Sequence, residues 1–185
     1  MIQNQNIMEL LATLETENLQ DWDLTQIING IEIMSPSPIS RHQIIVLELC
    51  GVFIEHTRKN KLGKILISPL DVIFEDGINR VQPDLIFISD ENKGIIKDWI
   101  RGVPDLLVEV VSKGSFYIDT VDKKEIYQKY GVKEYWIVFP EYDTIEVFSL
   151  ENDVYKIFSK GTDNEIVKSK LLEGLEVKVS DITAK

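Results

Sequence analysis

Cysteine, histidine and basic charge are all scarce in this 185-residue chain, and each scarcity removes a class of function. There is one cysteine, Cys50, so neither an intrachain disulfide nor a thiolate zinc site can form. Its neighbours Leu47, Leu49 and Phe53 mark it as a buried, inert thiol. The two histidines, His42 and His56, are too few for a multi-histidine metal centre, which leaves any metal chemistry to carboxylates. Lys and Arg number 20 against 31 Asp and Glu, a net charge of −11. That balance opposes casual binding to nucleic acid, where cations must displace counterions from phosphates. No apolar run approaches the ~20 residues that span a bilayer, and the acidic flanks of the N-terminal segment do not have a signal-peptide layout. The expectation is a cytoplasmic protein with no membrane partner. Neither a P-loop nor a dinucleotide fingerprint is present. Ser112, Ser115 and Ser149 lack a histidine partner or a nucleophile elbow.

What remains has the composition of a globular chain, 44% hydrophobic and 28% charged. Without repeats, low-complexity tracts or linker-like runs, residues 1–185 read as one domain. Apolar spacing predicts a short amphipathic helix over 6–19 and a strand over 27–34 that is broken at Asn29-Gly30. A long helix is predicted over 39–59, where His42, Ile45, Val46, Leu49 and Phe53 recur every three or four residues. Strands are expected at 64–69, 71–75 and 80–88, with 89–102 polar and unassigned. Residues 105–112 are apolar on both faces, the pattern of a central covered strand. Asp119 or Thr120 can cap a helix reaching Tyr130, with Gly131 at its C′ position. Further strands are expected at 134–139, 144–150 and 154–159, and a short apolar element at 175–179. This order predicts an α/β protein built on a sheet of mixed strand direction, with additional C-terminal strands.

Three polar residues interrupt this core pattern. On an extended strand Glu109 shares a face with Asp105, Leu107 and Val111. A carboxylate there loses hydration worth several kcal/mol unless a cation or donors replace the water; a structural ion pair or a metal ion would both serve. Asp84 follows Pro83, which marks an edge, a bulge or a strand start, and alternates with Ile86 and Ile88. Turn capping would also explain it. The Pro104-Asp105 dipeptide repeats the pattern, but Asp105 stands at the start of its strand, where capping suffices. Lys123 lies on one helix face with Ile126, Tyr127 and Tyr130, whereas Lys124 points ~100° away. Lys123 thus faces the sheet, either with an anionic partner or snorkelling over apolar surface. His42 is either a structural histidine or a group that orients a ligand or moves a proton. Glu32 is either an auxiliary metal ligand or an ordinary exposed strand residue. Arg58, Lys59 and Lys61, with Lys64, form a basic cluster at a helix end. That cluster is either a solvated complement to the helix dipole or a contact for a polyanion.

At these residues the chain resembles the Uma-type restriction endonuclease family, a cyanobacterial-type branch of the PD-(D/E)XK nuclease superfamily. The matching text is MSPSPISRH at 34–42, QPDLIFI at 82–88, GVPDLLVEVVS at 102–112 and GVKEYWIV at 131–138, with Asp119, Lys123 and Tyr127 at four-residue spacing. The resemblance implies a restriction endonuclease-like fold, a mixed central β-sheet flanked by helices. It carries the superfamily's Asp onto Asp84 and its acid onto Glu109. The usual lysine position is Val111, and the resemblance implies that Lys123 supplies the amine from the next helix. Lys113 stands where the family often has proline, and Phe139 where an Asp is common.

The reading that follows is hydrolysis of a DNA phosphodiester dependent on Mg or Mn. In it Asp84 and Glu109, with the Val110 carbonyl, bind the metal, and Lys123 steadies the developing charge. His42 and Glu32 are auxiliary. Lys113, Arg58, Lys59 and Lys61 are the candidate DNA contacts. Cutting both strands would call for a homodimer. The competing reading is a non-catalytic nucleic-acid or protein-interaction module that keeps the nuclease fold.

Overall fold

The structure, a computed structural model, describes residues 24–34 and 37–183. The helix expected at 6–19 lies outside the described residues. Strands β1 (Thr25–Ile28) and β2 (Ile31–Met34) pair antiparallel, so the single broken strand expected over 27–34 is instead a hairpin. Asn29 and Gly30 take φ of 51° and 79°, as a two-residue turn that reverses the chain requires, and Asn-Gly is the sequence best suited to it. Helix α1 (Ser40–Asn60) buries Ile45, Val46, Leu49, Cys50, Phe53 and Thr57, the predicted stripe.

Next come β3 (Gly63–Ile67), β4 (Val72–Glu75), β5 (Asn79–Val81) and β6 (Leu85–Ser89). The strand expected over 80–88 is thus two strands in two different sheets. The break falls at Gln82-Pro83-Asp84 because Pro83 has no N–H to give to a ladder. Within 89–102 lie a 3₁₀ turn and the short β7 (Ile100–Arg101). After β8 (Leu106–Val110), a π-helical turn at Ile118–Asp122 leads into α2 (Lys123–Tyr130), which Gly131 ends at φ 86°. Asp119 therefore lies inside the helical segment and caps nothing. β9 (Glu134–Phe139), β10 (Thr144–Glu151) and β11 (Val154–Thr162) follow as expected. The small pair β12 (Ile166–Lys168) and β13 (Glu176–Lys178) then precedes α3 (Val179–Thr183). The element expected at 175–179 is β13 running into α3.

The main sheet has the order β11-β10-β9-β8-β6-β3. β8 and β9 run parallel and every other neighbouring pair is antiparallel, the expected mixed sheet. Every residue of β8 is buried. Leu106, Val108 and Val110 pack into a core with α1, α3 and the β12–β13 pair. Leu107 and Val111 pack on the opposite side with Ile126 and Tyr127 of α2 and with Val72, Val81 and Ile100 of the second sheet, whose order is β2-β1-β5-β4-β7. Each such aliphatic side chain contributes about 1.5–3 kcal/mol on burial. The strand is therefore held firmly enough to keep one carboxylate, Glu109, in the same layer. Among the described residues no helix is long and apolar enough to cross a membrane.

Candidate active site

Continuing the β6–β8 register one step beyond the pair Leu85–Val108 sets Asp84 opposite Glu109. Asp84 is fixed there by its own carboxylate, since Oδ2 accepts the Val110 N–H at 2.7 Å. The same oxygen lies 3.2 Å from His42 Nε2 in the first turn of α1. Burial pulls the His42 imidazole down, but the Asp84 carboxylate outweighs it and holds the group above its ordinary value. His42 Nδ1 is buried with no hydrogen-bond partner.

Glu109 is 2% exposed and Lys123 3%. Glu109 Oε1 accepts from Lys123 Nζ at 2.9 Å and from the Tyr127 hydroxyl at 2.6 Å. Oε2 receives no hydrogen bond from the described residues. Lys123 also reaches Asp119 Oδ1 at 3.1 Å, one helical turn before it. Burial, set against the pull of Lys123 and reinforced by the Asp119 and Asp84 charges, pushes the Glu109 carboxyl up to about 8. Burial works the other way on Lys123, yet Glu109, Asp119 and Asp84 together hold its ammonium above the ordinary lysine value. Burial and the adjacent Glu109 raise the Tyr127 phenol well above its usual value, so it stays a donor. The result is a buried ammonium among three carboxylates, with only Asp84 partly open to solvent at 15% of its side chain.

Helical phase distinguishes the two neighbouring lysines as expected. Lys123 turns inward, while Lys124 lays its ammonium over the Phe148 ring, 3.7 Å from the centroid. Asp105 is buried at the other end of β8, where it accepts from the Ser89 N–H, Asn92 Nδ2 and Lys133 Nζ. That set fixes a loop. Glu134, fully buried, is likewise satisfied by Trp136 Nε1, the Ser169 hydroxyl and the N–H groups of Lys170 and Leu171.

The structure brings together Asp84, Glu109, Lys123 and His42. It does not bring Glu32 to them. That residue is exposed on β2, the edge strand of the second sheet. Arg58 and Lys59 occupy the last turn of α1 and Lys61 its C-cap, ~24 Å along the helix from His42. Lys113 is exposed on the loop after β8. Asp119 and Tyr127 belong to the cluster, although the sequence reading assigned them no function. Their signal was the spacing of 119, 123 and 127, which stacks all three on the inward face. The π-helical turn that carries Asp119 is a local irregularity often found at functional sites.

Two carboxylates with hard oxygen donors, one of them holding an unengaged oxygen, suit a divalent cation such as magnesium, which is commonly bound through one or two carboxylates with water and substrate phosphate completing the shell. Among the described residues no three His, Cys, Asp or Glu side chains form a metal-holding group by themselves.

The mixed sheet, with helices on both faces and C-terminal strands, has a restriction endonuclease-like fold, in agreement with one solved structure. A crystal structure described as "a putative nuclease belonging to DUF820 from Anabaena variabilis" superposes with a TM-score of 0.73 at 17% identity, covering 86% of this chain and 89% of that one. The type IIG restriction endonuclease BpuSI matches at a TM-score of 0.38 and 13% identity, over 67% of this chain and 14% of that one, too distant to carry an argument. The chain belongs to the Uma2 family, described as "Putative restriction endonuclease", whose model matches residues 8–180. No curated protein matches it. Family and fold together support a nuclease function.

Proposed function

We propose that the protein is a metal-dependent endonuclease that hydrolyses DNA phosphodiester bonds at the Asp84–Glu109–Lys123 cluster. The observation that carries this reading is the 2.9 Å contact of a buried lysine with a buried glutamate whose second oxygen receives no hydrogen bond from the described residues, opposite Asp84 on the neighbouring strand. A purely structural ion pair leaves unexplained why a third carboxylate and a histidine converge on the same end of β8.

In this reading Asp84 and Glu109 hold a magnesium or manganese ion, with the Val110 carbonyl as a further oxygen donor. When bound, the ion polarises the phosphate and makes a coordinated water more acidic. Lys123 stabilises negative charge that develops on the phosphate, its position fixed in advance by Asp119 and Glu109. Tyr127 orients Glu109, and His42 orients Asp84. Substrate approaches from the side of Asp84, the partly exposed member. Lys113, exposed on the loop four residues past Glu109, is the cation assigned to a flanking phosphate. Arg58, Lys59 and Lys61 meet one only if a duplex lies along α1, a span of ~24 Å or ~7 base pairs. A concerted cut across both strands calls for two copies of the site, which a homodimer would supply; a nick needs one.

The test is incubation of the chain with plasmid and with labelled oligonucleotides in magnesium, in manganese and in chelator. Metal-dependent cleavage that Glu109→Gln and Lys123→Ala both lose while still folded supports the enzyme. Absence of cleavage of any nucleic acid with either metal rejects it in favour of a binding module.

A further inference from the structure

Beyond the carboxyl ends of the parallel strands β8 and β9 lies a cleft of about 290 Å³. The carboxyl ends of parallel strands are a common location for ligand sites in α/β sheets. Its walls include Val111, Phe116, Phe139, Pro140 and Tyr142, with Lys113 at the rim. Phe116 and Phe139 face each other with ring centroids 6.2 Å apart and planes tilted by 49°. Phe116 is 49% and Tyr142 72% exposed, although large aromatic side chains are ordinarily covered. Val111 packs in the same core layer as the α2 face that meets Glu109, and Phe139 packs against that layer. Val111 is two residues, ~7 Å, past Glu109 along the strand. The cleft and the carboxylate cluster therefore lie at the same end of the sheet, with Val111 and Glu109 on its α2 side.

We propose that this cleft is a subsite for one unpaired nucleobase, so that the substrate is DNA carrying an unpaired strand beside the cut. The inference rests on the nuclease reading of the neighbouring cluster. A cleft of this volume is at the small end of ligand sites and admits a single planar ring system, not a base pair in its stack. Aromatic rings bind bases of any identity by stacking on their faces. Lys113 supplies the cation for the adjoining phosphate. Glu141, the acidic residue in the lining, shares Arg41 with Asp143, at 3.7 Å and 3.4 Å, so the cation offsets part of their combined charge. With a net charge of −11 the chain gains little from counterion release, and stacking provides affinity that does not depend on it.

The experiment is fluorescence anisotropy in chelator, with no cleavage possible, using a labelled single-stranded oligonucleotide, the corresponding duplex and an abasic single strand. The single strand binds more tightly than the duplex and the abasic strand. Phe116→Ala and Tyr142→Ala each weaken single-strand binding about 5- to 100-fold, and Phe116→Trp retains it. Equal binding of abasic and normal strands overturns the subsite. So do single-strand affinities unchanged in both alanine variants, or no binding of single strands at all. Metal-dependent plasmid cleavage persisting in Phe116→Ala with unchanged single-strand binding rejects the subsite and leaves the nuclease reading standing. Loss of cleavage in Glu109→Gln bears only on that reading.

Discussion

Lys123 Nζ stands 2.9 Å from Glu109 Oε1 with both side chains closed off from solvent. Neither charge is tolerable there alone. Removing one partner of such a pair strands the other and costs about 3–5 kcal/mol, whereas replacing both with apolar groups is often neutral. Lys123→Met is thus expected to lower stability by about that amount. Glu109→Gln costs less, because Lys123 keeps Asp119 at 3.1 Å. The double variant recovers part of the loss. Urea denaturation of the four proteins in a double-mutant cycle checks the coupling.

Tyr127→Phe removes a 2.6 Å hydrogen bond to the buried Glu109 while keeping the ring against Tyr135 and Phe74. With the Glu109 carboxyl pushed up to about 8, the expected loss is about 0.5–1.5 kcal/mol near neutral pH, rising toward about 1.5–3 kcal/mol once the carboxylate is charged. Tyr130→Phe removes a bond to the exposed Glu75 and is expected to cost less. Comparing the two denaturation midpoints separates the buried contact from the exposed one.

Glu134→Ala tests a carboxylate with no place in the chemistry. It leaves Trp136 Nε1, the Ser169 hydroxyl and two backbone N–H groups without their acceptor. With about 1–3 kcal/mol for each buried donor left unpaired, the two buried ones, Trp136 Nε1 and the Ser169 hydroxyl, alone set an expected loss of about 2–6 kcal/mol. Cleavage per folded molecule stays at the wild-type level. Thermal melting and an assay normalised to folded protein check both halves.

The pH dependence can be read at Asp105. Burial pushes its carboxyl up, but Lys133, the Ser89 N–H and the Asn92 amide outweigh burial and hold it below 3.8, its ordinary value. A carboxyl with a lowered folded pKa stabilises the fold fully above its unfolded value and loses that contribution as pH falls through the folded one. Wild type is therefore more stable than Asp105→Asn above pH ~3.8, and the gap closes below it. Urea midpoints of the two proteins from pH 6 to pH 2.5 follow the gap.

Much of this was legible in the residues because local pattern and tertiary structure agree. The stripe Ile45, Val46, Leu49 and Phe53 fixed α1, and apolar residues on both faces marked β8 as central despite Glu109. Helical phase separated Lys123 from Lys124. Asn29-Gly30 and Pro83 were visible as interruptions, but whether an interruption kinks a strand or sends it to another partner depends on pairing far away in sequence. Asp119 looked like a cap because Asp favours helix starts. Its burial beside Lys123 follows from a π-helical turn that residue preference does not announce. Arg58, Lys59 and Lys61 were legible as a basic cluster at a helix end, but a sequence does not show how far that end of a 21-residue helix lies from the carboxylates.

The most direct test is the manganese- or magnesium-dependent cleavage of plasmid by wild type and Glu109→Gln, each first shown to be folded by circular dichroism. Gln keeps the shape and an acceptor for Lys123 and Tyr127 but removes the charge. With a labelled oligonucleotide carrying an unpaired strand assayed beside the plasmid, the predicted result is cleavage by wild type in metal, none in chelator, and at least about a 100-fold loss in the variant. Equal cleavage by the two proteins contradicts the assignment of Glu109 and, with it, the proposed site.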